Sequence, residues 1–97
     1  EKHAAELRSS GIRPYSDINV TMYMTSWCGY CRQAGKLLRG MGVNLIEYDI
    51  EKNRARAQEM RSKGGRGVPF IDIEGIYIPG FSADQIKQAV ERRRKGD

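Results

Sequence analysis

Cysteine, histidine and long apolar runs are scarce in this chain of 97 residues, which has two cysteines and one histidine. Two cysteines cannot build the disulfide framework of a small secreted domain. A closed zinc site needs four ligands, and the single histidine, His3, is far from Cys28 and Cys31 in the sequence, which argues against structural zinc. No apolar run reaches the length of a membrane-spanning helix. These absences favour one small domain without a membrane segment.

The chain is basic, with a formal net charge of +5. A basic chain can bind nucleic acid or an acidic surface. The basic residues are spread along the sequence except for the run 92–95, which ends a predicted helix, where cations stabilise the negative end of the helix dipole. We therefore expect a solvated helix end and no nucleic-acid partner. A nucleic-acid-binding module remains an alternative that rests on charge alone.

Both cysteines lie in one short motif, Cys28-Gly29-Tyr30-Cys31, between a strand-like run at 19–24 and a helix-like run at 29–41. A Cys-x-x-Cys pair at a strand-to-helix junction is typical of a redox-active dithiol. The first helical turn has unpaired backbone N–H groups and partial positive charge, which stabilise a thiolate. We therefore expect Cys28 to ionise more readily than a free cysteine. Two buried cysteines, or a structural disulfide, are the alternative.

Hydrophobic periodicity predicts an alternation of strands and helices after an N-terminal appendage or linker at 1–17, which includes a helix-like stretch at 1–9. The domain is predicted to span residues 18–97. Gly42 is expected to end the first helix, and Asn53 and Ser82 are expected to cap the second and third. The predicted order is β-α-β followed by β-β-α. Its elements are strands at 19–24, 44–50, 68–73 and 76–78, with helices at 29–41, from Asn53 to about Lys63, and after Ser82.

This order, with the dithiol after the first strand, resembles the thioredoxin fold, and residues 19–94 resemble the glutaredoxins. Four landmarks carry the resemblance: the Cys28–Cys31 motif, Gly67-Val68-Pro69, the turn at Gly75, and Gly80 before the last helix. Pro79-Gly80-Phe81-Ser82 is most similar to the short dithiol glutaredoxin-like proteins. The resemblance implies an α/β thioredoxin fold with a four-stranded mixed sheet flanked by three helices.

The resemblance also implies roles for residues around the dithiol. Cys28 is the expected attacking thiolate, and Cys31 is expected to resolve the mixed disulfide. Val68–Pro69 is expected to be a cis peptide, so that the Val68 backbone can pair with an extended substrate. A trans proline that opens an edge strand is the alternative.

Aromatic and glycine residues are expected to border the groove in which the substrate lies beside the dithiol. Trp27 is expected on the outer side of Cys28, and Tyr30 at the groove or as a shield for Cys31. In glutathione-binding glutaredoxins, the segment that matches Gly80, Phe81 and Ser82 holds the γ-glutamyl carboxylate. Here Phe81 replaces a small residue, and Ser82 and Ala83 replace acidic ones. Arg66 or Arg32 could bind a glycyl carboxylate; solvent exposure of both arginines is the alternative.

We therefore predict a thiol–disulfide oxidoreductase that reduces protein or glutathione mixed disulfides through Cys28 and Cys31. No bound cofactor is expected, and the reductant is glutathione or a thioredoxin-reductase-like flavoprotein. The alternative is a dimeric [2Fe–2S] carrier that uses Cys28 and glutathione as ligands. We expect a monomer in the cytoplasm, or in the periplasm if the chain is a processed fragment.

Overall fold

The computed structural model describes residues 12–96, and the helix-like stretch predicted at 1–9 lies outside this range. Within the described range, a 3-10 turn precedes four strands and three α-helices, and the sequence predicted all of these elements except the turn. The predicted bounds of the first strand and first helix are confirmed, whereas the third strand begins two residues later than predicted. The elements are the turn Tyr15–Asp17, β1 Asn19–Met24, α1 Gly29–Met41, β2 Asn44–Asp49, α2 Arg54–Ser62, β3 Phe70–Ile73, β4 Ile76–Pro79 and α3 Ala83–Arg94.

The four strands form one mixed sheet in the order β2-β1-β3-β4, as predicted. β1 runs parallel to β2 and antiparallel to β3, and β3 runs antiparallel to β4. In this register Tyr23 of β1 lies opposite Phe70 of β3, which in turn lies opposite Pro79 of β4. The C-terminal end of β1 therefore lies at the same edge of the sheet as the start of β3 and the end of β4.

Helices cover both faces of the sheet. On one face, α1 and α3 pack on a large apolar core that includes Met22 and Ile71 of the sheet. On the other face, Met60 of α2 packs against Tyr23 and Phe70. Five apolar side chains of α2 and α3 are buried: Ala57, Met60, Ile86, Ala89 and Val90.

The helix ends follow the predicted capping chemistry. The side-chain oxygen of Asn53 accepts a hydrogen bond from the backbone N–H of Arg56 at 3.2 Å. The hydroxyl oxygen of Ser82 accepts one from the N–H of Gln85 at 3.3 Å. Gly42 adopts a left-handed conformation, with φ of 85°, directly after α1. These caps satisfy backbone groups that the helices leave unpaired, and they determine where each helix begins or ends.

A polar network fastens α2 to the sheet. The buried Tyr23 hydroxyl donates a hydrogen bond to Glu59 and accepts one from Lys63 Nζ at 2.7 Å. Lys63 Nζ also lies 2.7 Å from Asp72 Oδ2 of β3. Burial opposes the charge on Lys63, but the hydrogen bonds to Asp72 and Tyr23 outweigh it and raise the pKa of Lys63. The C-terminal end of α2, which leads into the loop 64–67, is thereby held on the sheet.

Residues 13–17 contact the turn between β3 and β4 and the helix α3. Both terminal nitrogens of Arg13 donate to the Glu74 carboxylate, at 2.6 and 2.7 Å. The Tyr15 hydroxyl donates to Glu91 at 2.6 Å, and the guanidinium of Arg94 lies over the Tyr15 ring. Arg94 in the basic run 92–95 is thus engaged within the chain. The domain boundary between residues 17 and 18 stays a prediction.

Candidate active site

Four chain segments meet at one edge of the sheet. The segment 25–28 follows β1, and residues 50–51 follow the parallel strand β2. β3 runs antiparallel to both β1 and β4. The segment 66–69, which precedes β3, and residues 80–82, which follow β4, therefore lie at this same edge. The strand directions therefore bring Cys28, Val68 and Phe81 to the same end of the molecule, although they are far apart in the sequence.

The two cysteines form a disulfide at the start of α1, with Cα atoms 5.2 Å apart. Cys28 is the N-cap of the helix, and its Sγ accepts a hydrogen bond from the Cys31 N–H at 3.0 Å. Cys28 is 5% exposed and Cys31 is 2% exposed. A sulfur at an N-cap receives backbone N–H groups and the positive end of the helix dipole, and both stabilise a thiolate once the pair is reduced.

The peptide bond between Val68 and Pro69 is cis, as expected. The Pro69 carbonyl accepts a hydrogen bond from the Gly80 N–H at 2.8 Å, which joins this segment to the start of α3. Within residues 12–96, the Val68 N–H and C=O have no backbone hydrogen-bond partner. They lie just before β3, so an extended chain could pair with them.

Two aromatic side chains meet beside the dithiol. Tyr30, in the first turn of α1, is 64% exposed, and its ring stacks on that of Phe81 with centroids 6.4 Å apart. Ser82 caps α3, so its hydroxyl oxygen is occupied by the N–H of Gln85. Gly80, which precedes Phe81 and Ser82, has a left-handed φ of 85°, a conformation that favours glycine. The structure thus joins Tyr30 and Phe81, which sequence analysis assigned to the groove separately.

Trp27 directly precedes Cys28 and is 67% exposed. Its indole N–H donates to the Glu51 carboxylate at 3.0 Å. Glu51 directly follows β2, and its own backbone N–H donates to the Asp49 carboxylate. Sequence analysis missed Glu51, because only the parallel pairing of β1 and β2 brings it beside Trp27.

A cavity of about 680 Å³ lies next to Trp27. Arg66 lines it together with Thr25 and Arg61, which sequence analysis did not assign to the site. Arg61 had a weak signal in the sequence, since it lies one helical turn before the glycine-rich loop 64–67. Arg32 does not line this cavity; its guanidinium lies 3.5 Å from the Ser26 carbonyl oxygen. The lining residues are Thr25, Trp27, Ile50, Glu51, Met60, Arg61, Gly64, Gly65, Arg66, Gly67 and Val68.

Sequence comparisons give relatives of one family. A family model for glutaredoxin matches residues 20–78. A putative glutaredoxin of Mycobacterium tuberculosis is 39% identical over 71 residues, which are 70% of this chain and 84% of the relative. Glutaredoxin 3 of Escherichia coli is 40% identical over 63 residues, 64% of this chain and 76% of the relative.

Solved structures have the same architecture. The glutaredoxin of Archaeoglobus fulgidus superposes with a TM-score of 0.68 and 22% identity, covering 73% of this chain and 84% of that one. The glutaredoxin-like NrdH-redoxin of Escherichia coli gives a TM-score of 0.66 and 20% identity, covering 72% and 92%. The predicted thioredoxin fold is therefore confirmed.

A thioredoxin fold with a Cys-x-x-Cys disulfide at the start of its first helix defines a thiol–disulfide oxidoreductase. The matched family model and the sequence relatives identify the family within this class of enzyme. The chain belongs to the glutaredoxin family, as the sequence motifs predicted. Within residues 12–96, no helix is both long and apolar enough to cross a membrane.

Proposed function

We propose that the protein reduces disulfides of protein substrates, with Cys28 as the attacking thiolate and Cys31 as the resolving thiol. Cys28 Sγ attacks one substrate sulfur, the substrate S–S bond breaks, and the released thiolate takes up a proton. Cys31 then attacks Cys28 Sγ and releases the second substrate thiol. Two electrons pass to the substrate, and the Cys28–Cys31 disulfide seen in the structure is the product.

The position of the Cys28 sulfur at the N-cap of α1 carries this proposal. Cys28 lies where backbone N–H groups stabilise a thiolate, whereas Cys31 lies a helical turn further on; both residues are buried. The sulfur at the helix terminus is the better first nucleophile, because more of it is present as the thiolate. The unpaired Val68 backbone supports an extended protein segment as the partner, because it can form an added strand.

The start of α3 favours a protein substrate over glutathione. A γ-glutamyl group at this helix terminus would meet Phe81, whose ring stacks on Tyr30. Ser82 and Ala83 have no carboxylate for the glutamyl ammonium, and Pro79 has no N–H to donate. We therefore infer that a glutathione mixed disulfide is the poorer substrate. The alternative [2Fe–2S] carrier needs glutathione as a ligand, and the same features weaken it.

Steady-state rates on two oxidised forms of the same substrate protein test the proposal. A protein disulfide and the same protein's glutathione mixed disulfide are offered with either glutathione plus glutathione reductase or thioredoxin reductase as the NADPH-coupled reductant. We expect the protein disulfide to have the higher kcat/KM. The double variant Pro79→Gly/Ala83→Asp should shift the preference toward glutathione. Equal rates in the unmodified protein would contradict the proposed specificity, and a brown protein after anaerobic purification would favour the cluster carrier.

A further inference from the structure

The cavity beside Trp27 contains a buried hydroxyl without a partner. Thr25 is 3% exposed and lines the cavity, and its Oγ1 has no hydrogen-bond partner among the described residues. An unpaired buried hydroxyl is costly, and such groups in native proteins are usually satisfied by another group. The Thr25 carbonyl accepts the Cys28 N–H at 3.3 Å, so this hydroxyl lies one short loop from the reacting sulfur. Oγ1 itself is buried, so a ligand group in the cavity could satisfy it once the Thr25 side chain turns toward the cavity.

The rim of the same cavity is cationic. Arg61 and Arg66 line it and are exposed, and neither has an acidic partner within residues 12–96. The one carboxylate in the lining, Glu51, accepts the Trp27 indole N–H. Two arginines without acidic partners beside a hydroxyl donor form a suitable environment for a carboxylate.

Apolar side chains also line the cavity. Ile50, Met60 and Val68 contribute to its wall, and the Trp27 ring lies beside them. This wall matches a short aliphatic stem that ends in a charged group. Val68 joins the cavity to the proposed substrate path, because a cysteine paired with its backbone has its neighbouring residue beside the cavity.

We propose that this cavity binds the side chain of a glutamate that flanks the reactive cysteine of a protein substrate. The inference rests on the proposed function, since it needs an extended protein segment at Val68. The two methylene groups pack on Ile50 and Met60, and the carboxylate accepts hydrogen bonds from Thr25 Oγ1 and Arg61. A lysine at the same place is repelled by the arginines, and a glycine leaves the cavity without a side chain.

Single-turnover reduction of synthetic peptides tests this inference without any external reductant. The substrates are disulfide-linked dimers of a peptide blocked at both ends, with Glu, Gln or Lys before or after the cysteine. We expect one of the two Glu peptides to be reduced about fivefold faster than its Gln counterpart, as for a partly exposed ion pair. The matching Lys peptide should be slower than the Gln peptide.

Matched variants separate binding in the cavity from general attraction by a basic protein. Arg61→Gln should bring the Glu-to-Gln ratio close to one. Arg54→Gln removes the same charge from the start of the same helix, outside the cavity, and should keep the ratio. Thr25→Val should lower the ratio without lowering the free energy of unfolding, because it removes an unpaired hydroxyl. Thr25→Ser should restore it.

Two results would overturn the inference: a Glu-to-Gln ratio near one in the unmodified protein for both peptide orders, or the same ratio in Arg61→Gln and Arg54→Gln. If Glu and Gln peptides react equally but both faster than oxidised glutathione, only the cavity assignment fails. If oxidised glutathione reacts as fast as the best peptide, the proposed preference for protein disulfides fails as well.

Discussion

The rings of Tyr30 and Phe81 stack with their planes inclined by 20°, and this contact joins the first turn of α1 to the segment just before α3. Tyr30 lies between the two cysteines in the sequence, so the stack forms one border of the dithiol. Phe81 also packs partly on the large apolar core. The ring thus lies at the position where the resemblance to glutathione-binding glutaredoxins implies a small residue.

Phe81→Ser should raise kcat/KM for a glutathione mixed disulfide by about tenfold, the effect of removing a clash or misfit worth roughly 1.4 kcal/mol. Phe81→Tyr retains the ring and is the control, which should behave as the unmodified protein does. Rates are measured at a temperature where unfolding curves show all three proteins folded. An unchanged rate for Phe81→Ser would mean that Phe81 does not restrict access to the helix terminus.

The two cysteines should behave differently when each is replaced alone. Cys28→Ser should abolish disulfide reduction, because the first nucleophile is lost. Cys31→Ser should still attack substrate and accumulate a mixed disulfide, because only the resolving step is missing. Intact-protein mass spectrometry detects the adduct. Equal trapping by both variants would refute the assigned order, and trapping by Cys28→Ser alone would reverse it.

Glu59 should make the stability of the fold depend on pH. The hydrogen bond from Tyr23 lowers the pKa of Glu59, and Arg56 lowers it further. A lowered folded-state pKa contributes stability above the unfolded pKa, near 4.5, which is lost as the pH falls through the folded value. Glu59→Gln should therefore lower the free energy of unfolding by on the order of 1 kcal/mol at pH 7, a modest amount because solvent screens this partly exposed carboxylate. The loss should be smaller at pH 3, where Glu59 of the unmodified protein begins to be protonated.

Urea unfolding at pH 7, 4 and 3 measures this effect. Glu47→Gln is a suitable control, because Glu47 pairs with Arg39 on the surface and has no contact with Tyr23. A Glu59→Gln protein with the same pH profile as the unmodified chain would show that the Tyr23 hydrogen bond does not stabilise the fold.

Gly65 should tolerate no side chain. A Cβ built on Gly65 would lie 2.6 Å from Met60 Cγ and 2.9 Å from Phe70 Cγ, where α2 packs on the sheet. Gly65→Ala should therefore destabilise the protein by about 1–3 kcal/mol, as expected for an overpacked core. Gly67→Ala is the matched control, because a Cβ there meets no atom within 4 Å. Similar unfolding free energies for the two variants would contradict the close packing of this loop.

The sequence determined the elements and the chemistry of the dithiol, because their signals are local. The bounds of β1 and α1 follow from apolar spacing and from the cap at Cys28. The third strand was predicted to begin at Val68 but begins at Phe70. Pro69 has no N–H to donate, and Val68 makes no backbone hydrogen bond within the described chain, so neither residue extends the strand.

Only the tertiary structure decided what surrounds the dithiol. The pairing of β1 with β2 brings Glu51 to Trp27, and the packing of α2 on the sheet brings Arg61 into a cavity with Thr25 and Arg66. The same packing buries the Thr25 hydroxyl, which has no hydrogen-bond partner in the described part of the chain. These contacts join residues that are distant in the chain, and side-chain spacing along one element carries no information about them. Specificity at this site is therefore a property of strand order and helix packing, whereas the redox chemistry is already present in four consecutive residues.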